Sequence, residues 1–203
     1  MAAVRRPLRL ASRVPLTVAL GGVLAALMAA SAVAGSTHRD LVDALGVTWP
    51  DLAHGRLWRL PTSSLVQEDA GIVWPIVALL PALPVAEARM GPARTLLTWV
   101  AADAAATVLA LAALEAAGDR LATAPNIGSS AGLLGVLAAW TMLLPERHRR
   151  RAVAALGAGL ALALVVDPEL AAVQHVIAAV VGGLLGHRLR SSPTHLRRRS
   201  CAA

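Results

Sequence analysis

Lysine is missing from this sequence, cysteine occurs once, and charge of either sign is scarce. One cysteine, Cys201, cannot close an internal disulfide or build a thiolate cage around a metal. The six histidines are scattered, with no pair four apart to grip an ion from one helix face, so no metal site is expected. No phosphate loop and no dinucleotide fingerprint occurs, and no cofactor is expected. Charged residues make up 15% of the chain, whereas a soluble domain carries about a quarter. No stretch alternates polar and apolar residues as a membrane barrel strand does. Internal repeats and low-complexity linkers are absent as well.

Long apolar runs fill the space that charge leaves. Hydrophobic residues account for 57% of 203 positions, and the mean hydropathy is +0.63. A helix needs about 20 mostly apolar residues to cross a ~30 Å hydrocarbon core. Such runs lie at 14–36, 70–86, 94–115, 127–144, 151–166 and 170–188. All six are rich in Ala, Leu, Val and Gly, and the second and fifth are the shortest. Pro75, Pro81 and Pro84 remove hydrogen bonds from the second, which is therefore expected to be kinked. The expectation is an all-α, polytopic membrane bundle of six transmembrane helices. It comprises a basic N-terminal segment (1–13), one membrane domain (14–188) and a basic tail (189–203).

The net charge of +7 comes from arginine alone, and its placement argues against a nucleic-acid partner. Four arginines precede the first run, two follow the second, four lie between the fourth and fifth, and five lie in the last segment. Fifteen thus fall on one side of the bilayer. Arg39, Arg56, Arg59 and Arg120 fall on the other. Positive residues stay on the cytoplasmic side, so both termini are expected in the cytoplasm of a cell whose plasma membrane holds the chain. Cys201 would then be a reduced thiol. The basic ends are also suited to anionic lipid headgroups. A signal peptide ending at Ala32-Val33-Ala34 competes for the first run, but that run exceeds the 7–15 apolar residues of a signal sequence. The long first loop, 37–69, sets Trp49, Leu57, Trp58 and Leu60 beside Asp51, Arg56 and Arg59. It reads as lying on the outer leaflet with tryptophan at headgroup depth.

Two polar points interrupt the apolar helices. One is the segment Asn126-Ile127-Gly128-Ser129-Ser130-Ala131-Gly132-Leu133-Leu134-Gly135 at the start of the fourth span; the other is His175 in the sixth. Both spans run inward, and at 1.5 Å per residue Ser130 and His175 lie ~6–9 Å below the outer end. A serine and a histidine at matched depth can pair as nucleophile and general base. The first N–H groups of the fourth helix would face a developing oxyanion. The other reading is packing. Gly128-xxx-Gly132 and Gly182-xxx-Gly186 are small-residue motifs, expected with Gly183 to let the fourth and sixth spans approach closely. Ser130 would then only bond a neighbouring carbonyl. Asp103, midway along the third span, is ionisable and by default functional, but the expectation is that it is protonated or hydrogen-bonded to a neighbouring helix; the sequence identifies no partner for it.

The residues 128–135 resemble the Gly-x-Ser-Gly motif of the rhomboid intramembrane proteases, with Ala131 in place of the second glycine. The resemblance puts Ser130 on the family's nucleophile. His175, Ala178 and Gly182 are similar to its sixth-helix pattern of histidine and small residues, which puts His175 on the general base. Glu87 and Gly91 resemble its Glu-x-x-x-Gly, and Trp58-Arg59 with Thr62 its first-loop Trp-Arg motif. The match runs from about residue 40 to 188. One feature departs. The family's second helix usually carries a histidine and, four residues later, an asparagine that stabilise the oxyanion. Here those places fall at Gly71 or Ile72 and at Pro75 or Ile76. Loss of one such donor typically costs ~10²–10³ in kcat. The remaining donors implied are the backbone N–H groups of Ser129 and Ser130, with Gln67 or Trp74 as helpers.

The resemblance implies a serine endopeptidase that cleaves transmembrane protein substrates with a Ser130–His175 dyad. A non-catalytic relative that binds membrane clients is the alternative, favoured by the missing pair. A small transporter using Asp103 is a third.

Overall fold

The computed structural model describes residues 14–33, 35–67, 81–166 and 169–191. Most of the expected second span, the Gly71–Ile76 positions, Trp74 and Cys201 lie outside them. Regular structure among the described residues is helical, apart from one isolated bridge between Val47 and Asn126. The chain runs through α1 (Pro15–Val33), α2 (Gly35–Leu45), α3 (Trp49–Ala53), α4 (Arg59–Ser63) and α5 (Ala82–Met90). It continues through α6 (Pro92–Ala116), a 3-10 turn (Arg120–Thr123), α7 (Ser130–Met142), α8 (Glu146–Val166) and α9 (Leu170–Ser191).

Two of these, α6 with 25 residues and α9 with 22, are long and apolar enough to cross a membrane. The apolar α1 and α7 are shorter, and the first two turns of α8 carry Arg147, Arg149, Arg150 and Arg151. The expected fourth span, 127–144, contracts to the 13 residues of α7, which at 1.5 Å per residue extend only about 20 Å. Burial accounts for so short a helix. Nine of its residues are buried, and α5, α6 and α9 all pack on it. The irregular backbone leading into it is held by hydrogen bonds to the first loop, Asn126 to Val47 and Gly128 to Ser63.

Small residues set the crossings. A methyl group on Gly182 of α9 would fall on the Gly135 carbonyl of α7, and one on Gly186 would sit 2.7 Å from the Ala139 Cα. Gly135 in turn faces Ala102 of α6. Backbones this close gain dispersion contacts along their whole length, the main adhesive between helices where water supplies no drive. The other expected packing glycines have different roles. Gly132 accommodates the Trp99 ring of α6 rather than α9, and the nearest neighbour of a Gly183 methyl would be the Met142 side chain at 3.7 Å. Gly128 has open space around it, but its φ of +119° is one that residues with a Cβ rarely adopt.

Glu87 anchors α1. It is fully buried and accepts from the Leu16 N–H (2.8 Å), the Thr17 N–H (2.7 Å) and the Thr17 hydroxyl (2.7 Å). A carboxylate there satisfies the first donors of α1 and complements its dipole. Four residues on, Gly91 takes φ +84° at the turn into α6. The Glu-x-x-x-Gly spacing thus joins an anchor to a turn. By contrast α8 has no buried residue. Glu146 at its start bonds Arg149 and Arg150 and lies 3.9 Å from Arg190 of α9.

The first loop is more structured than its sequence suggests. Thr48 and Asp51 form a capping box at α3, and Asp51 pairs with Arg56 (3.0 Å) and Arg59 (3.2 Å). Burial alone would raise the Asp51 carboxyl; hydrogen bonds from Thr48 and Arg56 and the Arg59 charge outweigh it and hold it below the usual carboxylate range. Arg59 also donates to the Gly46 carbonyl (2.8 Å), and the Thr62 hydroxyl lies 3.3 Å from the Leu45 carbonyl. Leu57 and Trp58 are exposed, while Ser63, Ser64, Val66 and Gln67 are buried. The described part of the loop, up to Gln67, therefore runs into the bundle rather than lying wholly on its surface.

Gly182→Ala should destabilise the detergent-solubilised protein by about 2 kcal/mol or more, because the methyl group meets backbone that cannot move aside. Gly183→Ala should stay within about 0.5 kcal/mol of the wild type. Thermal unfolding of the two variants side by side checks the crossing; equal effects would contradict it.

Candidate active site

The α7–α9 crossing places Ser130 and His175 together. Ser130 is the first residue of α7, and His175 lies five residues into α9, about 7–8 Å along its axis. The His175 Nε2 stands 2.9 Å from the Ser130 Oγ, and both side chains are half-buried. In the tautomer with its proton on Nδ1, Nε2 accepts from the hydroxyl. Gly135, Ala178 and Gly182 explain why the elements meet: Gly135 and Gly182 touch through backbone, and Ala178 presents its carbonyl to Gly135.

Ser129 precedes α7 at the N-cap and is fully buried, yet its side chain makes no capping bond. Both its N–H (3.3 Å) and its hydroxyl (3.2 Å) lie within reach of the Gln67 Oε1. The Gln67 Nε2 donates to the Ser64 carbonyl at 3.0 Å, which leaves the second hydrogen of that amide. The Ser129 N–H is therefore engaged at rest, whereas the Ser130 N–H belongs to the first helical turn, which has no acceptor within the helix.

Asp103 supplies the missing cap. From α6, 4% exposed, it accepts the Gly132 N–H (3.2 Å) on Oδ1 and the Ser64 hydroxyl on Oδ2. Gly132 is the third residue of α7, the position an N-cap side chain ordinarily serves. One carboxylate thus ties the first loop, α6 and the start of α7 at a single point. The sequence marks Asp103 as unusual but cannot show partners 39 and 29 residues away.

A second set of contacts braces the other side. Asn126 exchanges backbone hydrogen bonds with Val47 (2.8 and 3.1 Å), its amide donates to Thr107 of α6 (3.2 Å), and its Oδ1 accepts from Gln174 (3.0 Å). Gln174 is the chain neighbour of His175, so this network fixes the turn of α9 that carries the imidazole. Gln174 and Thr107 escaped the sequence reading; the one available signal was a polar residue beside His175 in an otherwise apolar run. The Gly128 N–H donates to the Ser63 carbonyl (3.2 Å), pinning the segment before Ser129 to the first loop. No group of three or more His, Cys, Asp or Glu that could hold a metal occurs among the described residues.

A family model described as the Rhomboid domain matches residues 54–192, more than half of the chain. No curated protein and no solved structure matches it.

Asp103→Leu leaves the Gly132 N–H buried without an acceptor, at about 1–3 kcal/mol, and leaves the Ser64 hydroxyl only the Leu60 carbonyl, 3.4 Å away. Asp103→Asn keeps an acceptor of the same shape. Unfolding in detergent should show the leucine variant less stable by about 2 kcal/mol and the asparagine variant by less than half of that.

Proposed function

The chain belongs to the rhomboid family of membrane proteins, and from that premise we propose that it is a serine endopeptidase cleaving transmembrane protein substrates within the bilayer. The observation that carries this reading is the 2.9 Å approach of Ser130 and His175 on separate helices. An unassisted serine is a poor nucleophile near neutral pH, and an adjacent base removes that obstacle. His175 Nε2 takes the hydroxyl proton as Ser130 Oγ attacks the scissile carbonyl. It then returns the proton to the leaving amine, and a water, deprotonated by the same nitrogen, releases the acyl group. The frame proposed for this chemistry is a six-span bundle in the plasma membrane, with both termini cytoplasmic and the dyad in the outer half. The fifteen-to-four division of arginine supports that orientation.

The developing oxyanion calls for donors where this chain lacks the second-helix His and Asn. The Ser130 N–H is one, at the positive end of the α7 dipole. The Ser129 N–H is a second once substrate displaces the Gln67 carbonyl that holds it at rest. The remaining Gln67 Nε2 hydrogen is a side-chain candidate for the same task. Asp103, bonded to Ser64 and Gly132, serves in this reading as a clamp on the site, and no transport role is assigned to it.

A fluorophosphonate probe should label the purified protein slowly, because a depleted oxyanion site stabilises the phosphonylation transition state less. Labelling should vanish in Ser130→Ala, fall at least about a hundredfold in His175→Ala, and persist in Ser129→Ala. Losses within such a unit are non-additive, so the Ser130→Ala/His175→Ala variant should match Ser130→Ala alone. A folded wild type that stays unlabelled would favour a non-catalytic binder of membrane clients. Labelling that survives Ser130→Ala would remove Ser130 from the role altogether.

A further inference from the structure

Away from the dyad, α6 and α9 part at the opposite end of the crossing and leave a groove of about 320 Å³. On α6 its wall is Arg94, Leu97 and Ala101, spaced at three and four residues along one helix face. On α9 it is Leu185, Arg188 and Leu189, again one face. The two helices run antiparallel here, since the N-terminal part of α6 meets the C-terminal part of α9. Both arginines therefore stand at the same end, and Ala101 and Leu185 lie deeper. Thr98 adds no free polar group, because its hydroxyl donates to the Arg94 carbonyl at 2.8 Å.

The groove is thus amphipathic along its length, with two guanidinium groups at the mouth and an apolar floor. Leu97 is 68% exposed, as suits a side chain that faces hydrocarbon. Arg94 also occupies the first turn of α6, where the helix dipole adds positive potential. Glu146 takes Arg149, Arg150 and Arg190 as its ion-pair partners, not Arg94. A guanidinium pair matches the geometry of a phosphate.

We propose that this groove binds one anionic phospholipid of the cytoplasmic leaflet, its phosphate held by Arg94 and Arg188 and an acyl chain lying between Leu97, Ala101, Leu185 and Leu189. Basic pockets between membrane helices on the cytoplasmic side favour such headgroups. The ligand bridges the two long helices that flank α7, so its binding braces the crossing from the end remote from Ser130.

Native mass spectrometry of the full chain, released from membranes of defined phosphatidylglycerol and phosphatidylcholine content with equal acyl chains, tests this. One phosphatidylglycerol should be retained in preference to phosphatidylcholine. Arg94→Gln/Arg188→Gln should weaken its retention about tenfold or more, as two lost basic contacts at the membrane surface imply. The charge-matched control Arg89→Gln/Arg151→Gln should leave retention unchanged. Ala101→Trp, which fills the apolar floor and keeps both arginines, should also lose the lipid. Equal retention of the two lipids by the wild type, which needs no variant to fold, would overturn the proposal. So would an equal loss in the control, which would mean diffuse attraction to a basic face. Undiminished retention in Ala101→Trp, or displacement of the lipid by inorganic phosphate alone, would also overturn it, because the site would then hold a phosphate and no acyl chain.

Discussion

The N-terminus of α7 begins inside the protein, and its unpaired N–H groups must find acceptors there. A helix that starts at the surface leaves its first donors to water. Here the protein supplies the acceptors from two other elements. Gln67, at the buried end of the first loop, takes the Ser129 N–H, and Asp103 of α6 takes the Gly132 N–H. Between those two anchored donors lies Ser130, with a first-turn N–H of its own. The same requirement that holds α7 in place therefore leaves donors beside a serine hydroxyl. A carboxylate is tolerated at this depth because two hydrogen bonds and the positive end of a helix surround it.

The second constraint is how closely α7 and α9 approach. Gly135 and Gly182 meet through backbone, and Gly186 lies against Ala139, so a single added methyl separates the helices. His175 stands seven residues before Gly182, two turns up the same helix. Its separation from Ser130 is consequently set by a crossing that has little slack. The Asn126–Gln174 bond and the Asn126–Thr107 bond then fix which way the α9 turn faces. Tight packing around α7 contrasts with α8, which buries no residue and is linked to α9 by a long contact between Glu146 and Arg190. The closest packing among the described helices thus lies at the elements that carry Ser130 and His175.

Much of this was legible in the amino-acid sequence, for physical reasons that differ by element. α6 and α9 follow from apolar length alone, and their expected ranges, 94–115 and 170–188, lie within Pro92–Ala116 and Leu170–Ser191. Ser130 and His175 stood out because polar groups are costly in an apolar helix, and topology put them at one depth. What the sequence hid is long-range. Nothing near Asp103 in the chain points to Ser64 or Gly132, and nothing near Glu87 points to Leu16 and Thr17. Glycine spacing showed that helices would meet but not which ones: Gly132 receives Trp99 of α6, and Gly128 serves its own backbone angle. Apolar length overstates α7 because residues before Ser130, such as Ile127, belong to an irregular, partly buried approach segment rather than to the helix.

The proposed function is hydrolysis of peptide bonds inside a membrane by the Ser130–His175 pair. Its most direct measurement is proteolysis in proteoliposomes, with the purified chain and a panel of labelled single-span substrates whose segments differ in helix-breaking residues near the outer face. Slow cleavage of at least one substrate within or beside its transmembrane segment is expected, absent in matched liposomes carrying Ser130→Ala. Intact substrates throughout, with the wild type shown by its unfolding transition to be folded in the same liposomes, would contradict it.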